Sequence, residues 1–290
     1  MSAMIQKILF PVDFSPACAA MAGYVKRAAT LFDASVTLVH VCDFVSHNGF
    51  ELYVRPAPEI AEEEQNLALE RLHSFLQTDF PVAEHPRTVL AGDVANEITH
   101  LANAGAFDLI VMPTHAGRFR RMLLGSVTAK VLNDADCPVL TTEHAQRIAP
   151  KPLEHREWLC ALALDGDSER VFRIAARAAA AAGAKITLIH AIQTGHSRQP
   201  TERGADEARK SLEIEQARRR AEDLQSAVGS SAELRIAAGP IIKDLLVETA
   251  QRADADVLII GRRPQPGALG RMHDLTYQVV RDSPFPVLSI

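Results

Sequence analysis

The sequence is short of several things, and each shortage closes a class of function. Its 290 residues hold four cysteines, Cys18, Cys42, Cys137 and Cys160, and none stands in a C-x-x-C pair or at a metal-ligand spacing. Neither a metal site nor a disulfide framework organises the chain. Three of the four lie on or beside apolar runs, the setting of a buried free thiol. Aromatic residues make up only 5%. Alanine is abundant instead, which favours helices packed closely on a sheet. No apolar run approaches the ~20 residues a membrane helix needs. The opening MSAMIQKILFPVDF goes straight into a strand without the layout of a signal peptide, so a cytoplasmic protein with no membrane partner is expected. A net charge of −5 gives no electrostatic ground for nucleic-acid binding. H-x-x-E-H, Walker A and G-x-S-x-G motifs are all missing.

What is present is a globular composition, 47% hydrophobic and 23% charged, in a chain long enough for two domains of ~150 residues. Ile8 to Val12 is a short apolar strand ending at Asp13. Ser15-Pro16 is a helix start, with serine as cap and proline at the first helical position, and the helix runs to about Phe32. Val36 to Val41 is a second strand, nearly all apolar and so covered on both faces. A loop spans 43 to 57, and an amphipathic helix Glu59 to Gln77. Strand Arg87 to Leu90 follows, closed by Gly92. Then come helix Val94 to Ala104, strand Leu109 to Met112, helix Ser126 to Asn133 and strand Val139 to Thr142. Strands alternating with helices predict an α/β fold, a parallel sheet with helices on both faces.

The second half repeats the first. Cys160 to Asp165 echoes Leu9 to Asp13, and Ile186 to Ala191 echoes Val36 to Val41. Gly239 to Leu245 echoes Gly92 to Ile98. Ala255 to Gly261 echoes Phe107 to Pro113, and Pro286-Val287-Leu288 echoes Pro138-Val139-Leu140. The last two pairs share a constant offset of 148 residues without a gap. Two copies of one fold follow, residues 1–145 and 155–290, with the polar, proline-bearing stretch Glu143 to Glu157 between them. A polar stretch from Gln193 to Asp206 stands in place of the first copy's loop.

Met112 to Lys130, MPTHAGRFRRMLLGSVTAK, draws the most attention. A strand feeding a loop that feeds a helix is the geometry of an anion site. Backbone N–H groups at the helix start are unpaired and carry partial positive charge. Gly125 lets a ligand approach the backbone, and Ser126 can cap the helix or hold a phosphate oxygen. Arg118, Arg120 and Arg121 add positive charge. An ordinary capped helix beside a solvated basic loop fits the same residues.

The repeated pattern resembles the universal stress protein family in a tandem two-domain form, over essentially the whole chain. Ile8 to Ser15 (ILFPVDFS), Leu38 to Val41 (LVHV), Asp108 to Ser126 and Cys137-Pro138-Val139-Leu140 carry the resemblance. It implies two open five-stranded parallel sheets of order 3-2-1-4-5, a Rossmann-like fold of the adenine-nucleotide α-hydrolase type. The nucleotide-binding branch of that family has a loop G-x2-G-x9-G-S/T. By position, the resemblance assigns Asp13 to ribose hydroxyls and Val41 to adenine. It assigns Gly117, Gly125, Ser126 and Val127 to the phosphates of ATP or a related adenine nucleotide, with magnesium only alongside ATP. Pairing of the two copies as a pseudo-dimer within one chain, and a homodimer of chains, are also implied.

The first copy departs from the motif. Pro113 stands where the first glycine belongs, and Ala116 or Gly117 where the second does, one residue short of the spacing to Gly125. The second copy departs further. Gly261 is kept, but Pro264 takes the second glycine's place and His273-Asp274 replaces Gly-Ser, setting a carboxylate where phosphate would arrive. Arg262, Arg263 and Arg271 partly offset it. The second site is therefore expected to be degenerate, and Asp165 to lack the role of Asp13. His40 and His190 end their second strands without an evident nucleophile beside them, and a hydrogen-bonded structural role is expected for both. His115 reads as exposed. The leading expectation is a stress-response protein that binds nucleotide in its first copy and acts through nucleotide state or partners, with no catalytic residues. A protein with both sites degenerate, acting by interaction alone, is the alternative. A slow ATPase ranks below both, since no base to activate water stands out.

Overall fold

The computed structural model describes residues 5–43, 58–114, 124–142, 156–194, 203–262 and 275–290. The chain divides into two compact units, with the boundary between Pro152 and Leu153.

The first unit opens with β1 (Lys7–Pro11), in which Ile8, Leu9 and Phe10 are wholly buried. Helices α1 (Pro16–Ala20) and α2 (Ala22–Phe32) lead to β2 (Ser35–Cys42). Helix α3 (Pro58–Ser74) leads to β3 (Arg87–Ala91), and α4 (Val94–Ala104) to β4 (Leu109–Pro113). Helix α5 (Ser126–Asp134) leads to β5 (Val139–Thr142). Ile8 lies opposite both Val36 and Leu109, Leu38 opposite Arg87, and Ile110 opposite Val139. Every pairing is parallel, and the order is β3-β2-β1-β4-β5. The strand whose Ile8, Leu9 and Phe10 are wholly buried thus sits in the centre, where both faces of a parallel sheet are covered.

Local chemistry fixes the helix ends. The Ser15 hydroxyl accepts the Cys18 N–H at 3.1 Å, with Pro16 at the first helical position. A break at Met21 divides the single helix expected from sequence into α1 and α2. The Asp93 carboxylate caps α4 by accepting the Asn96 N–H at 2.9 Å, and Lys130 of α5 pairs with the same oxygen at 3.0 Å. Helix α3 stops short of the expected Gln77. Leu76 turns left-handed at φ 52°, and the Arg87 guanidinium donates to the carbonyls of Leu72, Phe75 and Phe80. A side chain arriving from β3 therefore satisfies carbonyls that the helix end leaves over.

The second unit holds β6 (Glu157–Ala161), α6 (Ser168–Ala181) and β7 (Lys185–Gln193). Next come α7 (Arg203–Val228), β8 (Glu233–Gly239), α8 (Ile242–Arg252) and β9 (Val257–Ile260). It ends with α9 (Leu275–Asp282) and β10 (Val287–Ser289). The parallel order β8-β7-β6-β9-β10 repeats the first sheet. Lys7 faces Ser35 and Glu157 faces Lys185, so both partners shift by 150 residues. Buried Ala175, Ala178 and Ala179 let α6 sit close on its sheet.

The polar stretch from Gln193 to Asp206 is not a loop throughout. Gln193 ends β7, and from Arg203 the chain is α7, 26 residues long. Its charge hides it from a periodicity search, because Ala217 and Ala221, among the smallest side chains available, are the residues it buries. Among the described residues, no helix is long and apolar enough to cross a membrane.

Candidate functional site

In each unit the chain turns one way after its first strand and the other way after its fourth, so a crevice opens between them at the carboxyl ends. Asp13 follows β1 and is exposed. Its Oδ1 accepts the Ser15 N–H at 2.9 Å, which steadies the turn into α1. Val41 lies near the end of β2 with its side chain buried. The last β1–β2 bond runs from Val12 N–H to the Val39 carbonyl at 2.7 Å. Backbone groups two residues apart point to the same edge of a strand. Val41 therefore turns its N–H and C=O toward the space beyond the end of β1, and any contact it offers there is a main-chain one.

Across the crevice, β4 ends at Pro113, and α5 begins at Ser126 with Gly125 in the cap position at φ −57°, ψ 140°. The sequence left open whether Ser126 caps the helix. It does not: Ser126 is the first helical residue, and no side chain caps α5. The first intrahelical bond runs from the Ala129 N–H to the Gly125 carbonyl at 2.8 Å. The N–H groups of Ser126, Val127 and Thr128 are thus left over at a positive helix end, with Ser126 exposed. Gly125 differs, because its N–H donates to the Thr114 carbonyl at 3.0 Å. Thr128 Oγ1 donates to the Pro113 carbonyl at 3.1 Å and ties α5 to the strand before it. Thr276 of α9 does the same to Gly261 at 3.4 Å, 148 residues on. Gly117, His115, Arg118, Arg120 and Arg121 lie outside the described residues, as do Arg263, Pro264, Arg271, His273 and Asp274.

The second unit has no aspartate at the place of Asp13: the Val12 N–H bonds the Val39 carbonyl and the Leu162 N–H bonds the Ile189 carbonyl, 150 residues on, so Ala163 stands there and Asp165 lies two residues further along. Asp165 Oδ1 accepts the Asp167 N–H at 3.2 Å and the Ser168 hydroxyl at 3.0 Å. The histidines are hydrogen-bonded structural groups in both units. His40 Nδ1 lies 2.7 Å from the Val12 carbonyl and His190 Nδ1 2.8 Å from the Leu162 carbonyl. A carbonyl only accepts, so each Nδ1 carries the hydrogen and Nε2 is the free nitrogen.

Sequence reasoning overlooked the residue after Asp13. Phe14 adopts φ 60°, and Leu164, its counterpart, φ 57°. Phe14 packs on His40 with ring centres 4.5 Å apart and meets the edge of Phe75 at 5.4 Å. The Arg71 guanidinium lies 4.2 Å from its ring centre. A bulky residue directly after the strand-one aspartate was the available signal. Among the described residues, no group of three or more His, Cys, Asp or Glu is placed to hold a metal ion.

A doubly wound parallel sheet, present twice, defines the α/β class, and in the first unit Asp13 and a helix start with no side-chain cap flank the reversal point. The particular family follows from comparison. The model of the universal stress protein family matches residues 4–142 and again 156–290, and the chain belongs to that family. A universal stress protein of Methanocaldococcus jannaschii is 32% identical over 151 residues, covering 50% of this chain and 85% of its own. A second from that organism is 28% identical over 161 residues, covering 49% of this chain and 98% of its own. A crystal structure of a universal stress protein from Archaeoglobus fulgidus superposes over the whole length, with a TM-score of 0.66, 18% identity and coverage of 99% and 97% of the two chains. The single-domain relatives thus match half of this chain each, while a solved structure matches both units together.

Proposed function

We propose that the first unit binds ATP or a related adenine nucleotide and that the protein works in stress response through its nucleotide state or its partners. The observation that carries this reading is one of position. Asp13, the main-chain edge of Val41 and the unpaired first-turn N–H groups of α5 all stand at the carboxyl ends of adjacent parallel strands. Asp13 suits ribose hydroxyls, because a carboxylate is an acceptor for two neighbouring O–H donors. Val41 suits the edge of adenine. The N–H groups of Ser126 and Val127, with the Ser126 hydroxyl and the glycines 117 and 125, suit phosphate oxygens. Magnesium would accompany ATP. Hydrolysis, if any, is weak in this reading.

Calorimetric titration of the full chain with ATP tests the reading. Ser126→Asp, which copies the second unit's Asp274, is expected to weaken binding about ten- to a hundredfold, the worth of ~1.5–3 kcal/mol for a charge-assisted contact. Unchanged affinity in that variant would remove Ser126 from the site.

A second reading, an interaction protein that binds no nucleotide, draws on two specific observations. The Gly125 N–H is already spent on Thr114, and one Asp13 oxygen on Ser15. Wild-type protein that shows no heat with ATP, ADP or AMP, and purifies without nucleotide, would favour it.

A further inference from the structure

The two units differ most informatively beside their equivalent histidines. In the first, Phe14 fills the space between His40 and α3, with Phe75 at its edge and Arg71 over its face. In the second the aromatic ring is gone. Leu164 holds the same left-handed conformation, and a cavity of about 180 Å³ opens beside His190 under α7. Glu213, Gln216, Ala217 and Arg220 line it, at the spacing i, i+3, i+4, i+7 of a single helix face. Ile192 closes the apolar side.

The chemistry of that wall is specific. An enclosed aliphatic cavity of about 150 Å³ takes a benzene ring; this one is of similar size but open on the side of Gln216 and Arg220, which leaves room for one ring with a polar edge toward solvent. The side chains of Glu213, Gln216 and Arg220 find no hydrogen-bond partner among the described residues. One accepts, one donates and the amide does both. Formal charges at the rim cancel, so a neutral ligand fits better than an ion. The space is separate from the second unit's counterpart of the nucleotide crevice. His190 and Ile192 face α7, which packs with α6, whereas α9, whose start corresponds to the first unit's phosphate end, packs with α8.

We propose that the second unit's cavity binds a small neutral aromatic molecule with an amide-like edge, its ring lying where Phe14 lies in the first unit and its edge meeting Glu213, Gln216 and Arg220. The carbonyl of such an edge accepts from Arg220, and its N–H donates to Glu213.

Benzamide is a suitable probe. Titrated into the full chain and followed by the ring resonances of His190, it is expected to saturate at one equivalent. Leu164→Phe restores the first unit's plug at a backbone conformation Phe14 already tolerates, and should abolish binding while raising the melting temperature. Arg220→Ala should weaken binding about ten- to a hundredfold. Toluene, with the ring and no edge, should bind at least tenfold more weakly than benzamide. A titration with no saturable shift, benzamide affinity untouched by Leu164→Phe, or toluene binding as well as benzamide would each overturn the proposal. If Leu164→Phe fails to fold, Arg220→Ala decides alone, unchanged affinity counting against it. Adenine nucleotides play no part in these readouts, so failure of the nucleotide reading leaves them intact.

Discussion

At the scale of single residues, burial sets reactivity. No disulfide joins any of the four cysteines. Burial pushes the Cys18 thiol up to about 12, and it also raises Cys160, while Cys42 is raised less, by burial and by the Glu64 charge. The thiolate is the nucleophile, so a thiol held that high is inert near neutrality. Iodoacetamide applied to native protein at pH 8 should modify Cys137 and Cys42, which are partly exposed, and spare Cys18 and Cys160. Peptide mapping reads the pattern, and early labelling of Cys160 would mean the β6 core opens readily. Arg87 is the opposite case, a charged group partly withdrawn from water, with its pKa lowered by burial. It stays because the Leu72 and Phe75 carbonyls at the end of α3 and the Phe80 carbonyl in the turns after it need a donor. Arg87→Met keeps the packing and strands those carbonyls, and should cost about 2–4 kcal/mol in urea unfolding.

At the scale of elements, the ion cluster joining α8 to α9 gives the second unit an acid-sensitive seam. Arg281 holds the Asp282 carboxylate with two hydrogen bonds of 2.6 and 2.8 Å, and Lys243 adds one of 2.7 Å. Arg281 first, then Lys243, lowers the Asp282 pKa to about 2. A depressed folded-state value stabilises above the unfolded pKa of ~3.9 and loses that contribution as pH falls toward about 2. With solvent screening, the seam contributes roughly 1 kcal/mol. Asp282→Asn should therefore destabilise the protein at pH 6 and make little difference at pH 2, as chemical denaturation at the two pH values would show. Elements of this kind were unevenly legible in the sequence. Strands β1, β2 and β4 stand out because central parallel strands must be apolar on both faces, and the repeat shows because 148 residues separate its last members without a gap. Helix α7 does not stand out, since its contact with the sheet rests on two alanines. In the candidate site, position could be read for Asp13 and Val41. Whether the Gly125 N–H was free could not, because its partner, Thr114, is set by the path of the chain beyond β4.

At the scale of the whole molecule, the repeat has diverged into two units with different expected ligands. One nucleotide per chain is therefore expected from calorimetry, bound by the first unit. In the second unit α9 begins at Leu275, directly after Asp274 in the sequence. His273→Gly combined with Asp274→Ser should raise the stoichiometry toward two if the carboxylate is what repels phosphate, and leave it at one if Pro264 is the obstacle. Strand order also governs how such a chain is made. The central strand of each sheet is the first synthesised: Ile8 pairs with Leu109, about a hundred residues later. At ribosomal rates of ~5–20 residues per second, one edge of β1, the strand of Ile8, Leu9 and Phe10, waits roughly 5–20 s for its neighbour. The same wait recurs for β6, with Trp158 opposite Val257. Twice in every round of translation, then, the nascent chain depends on something other than its own sheet to shield an open hydrophobic edge.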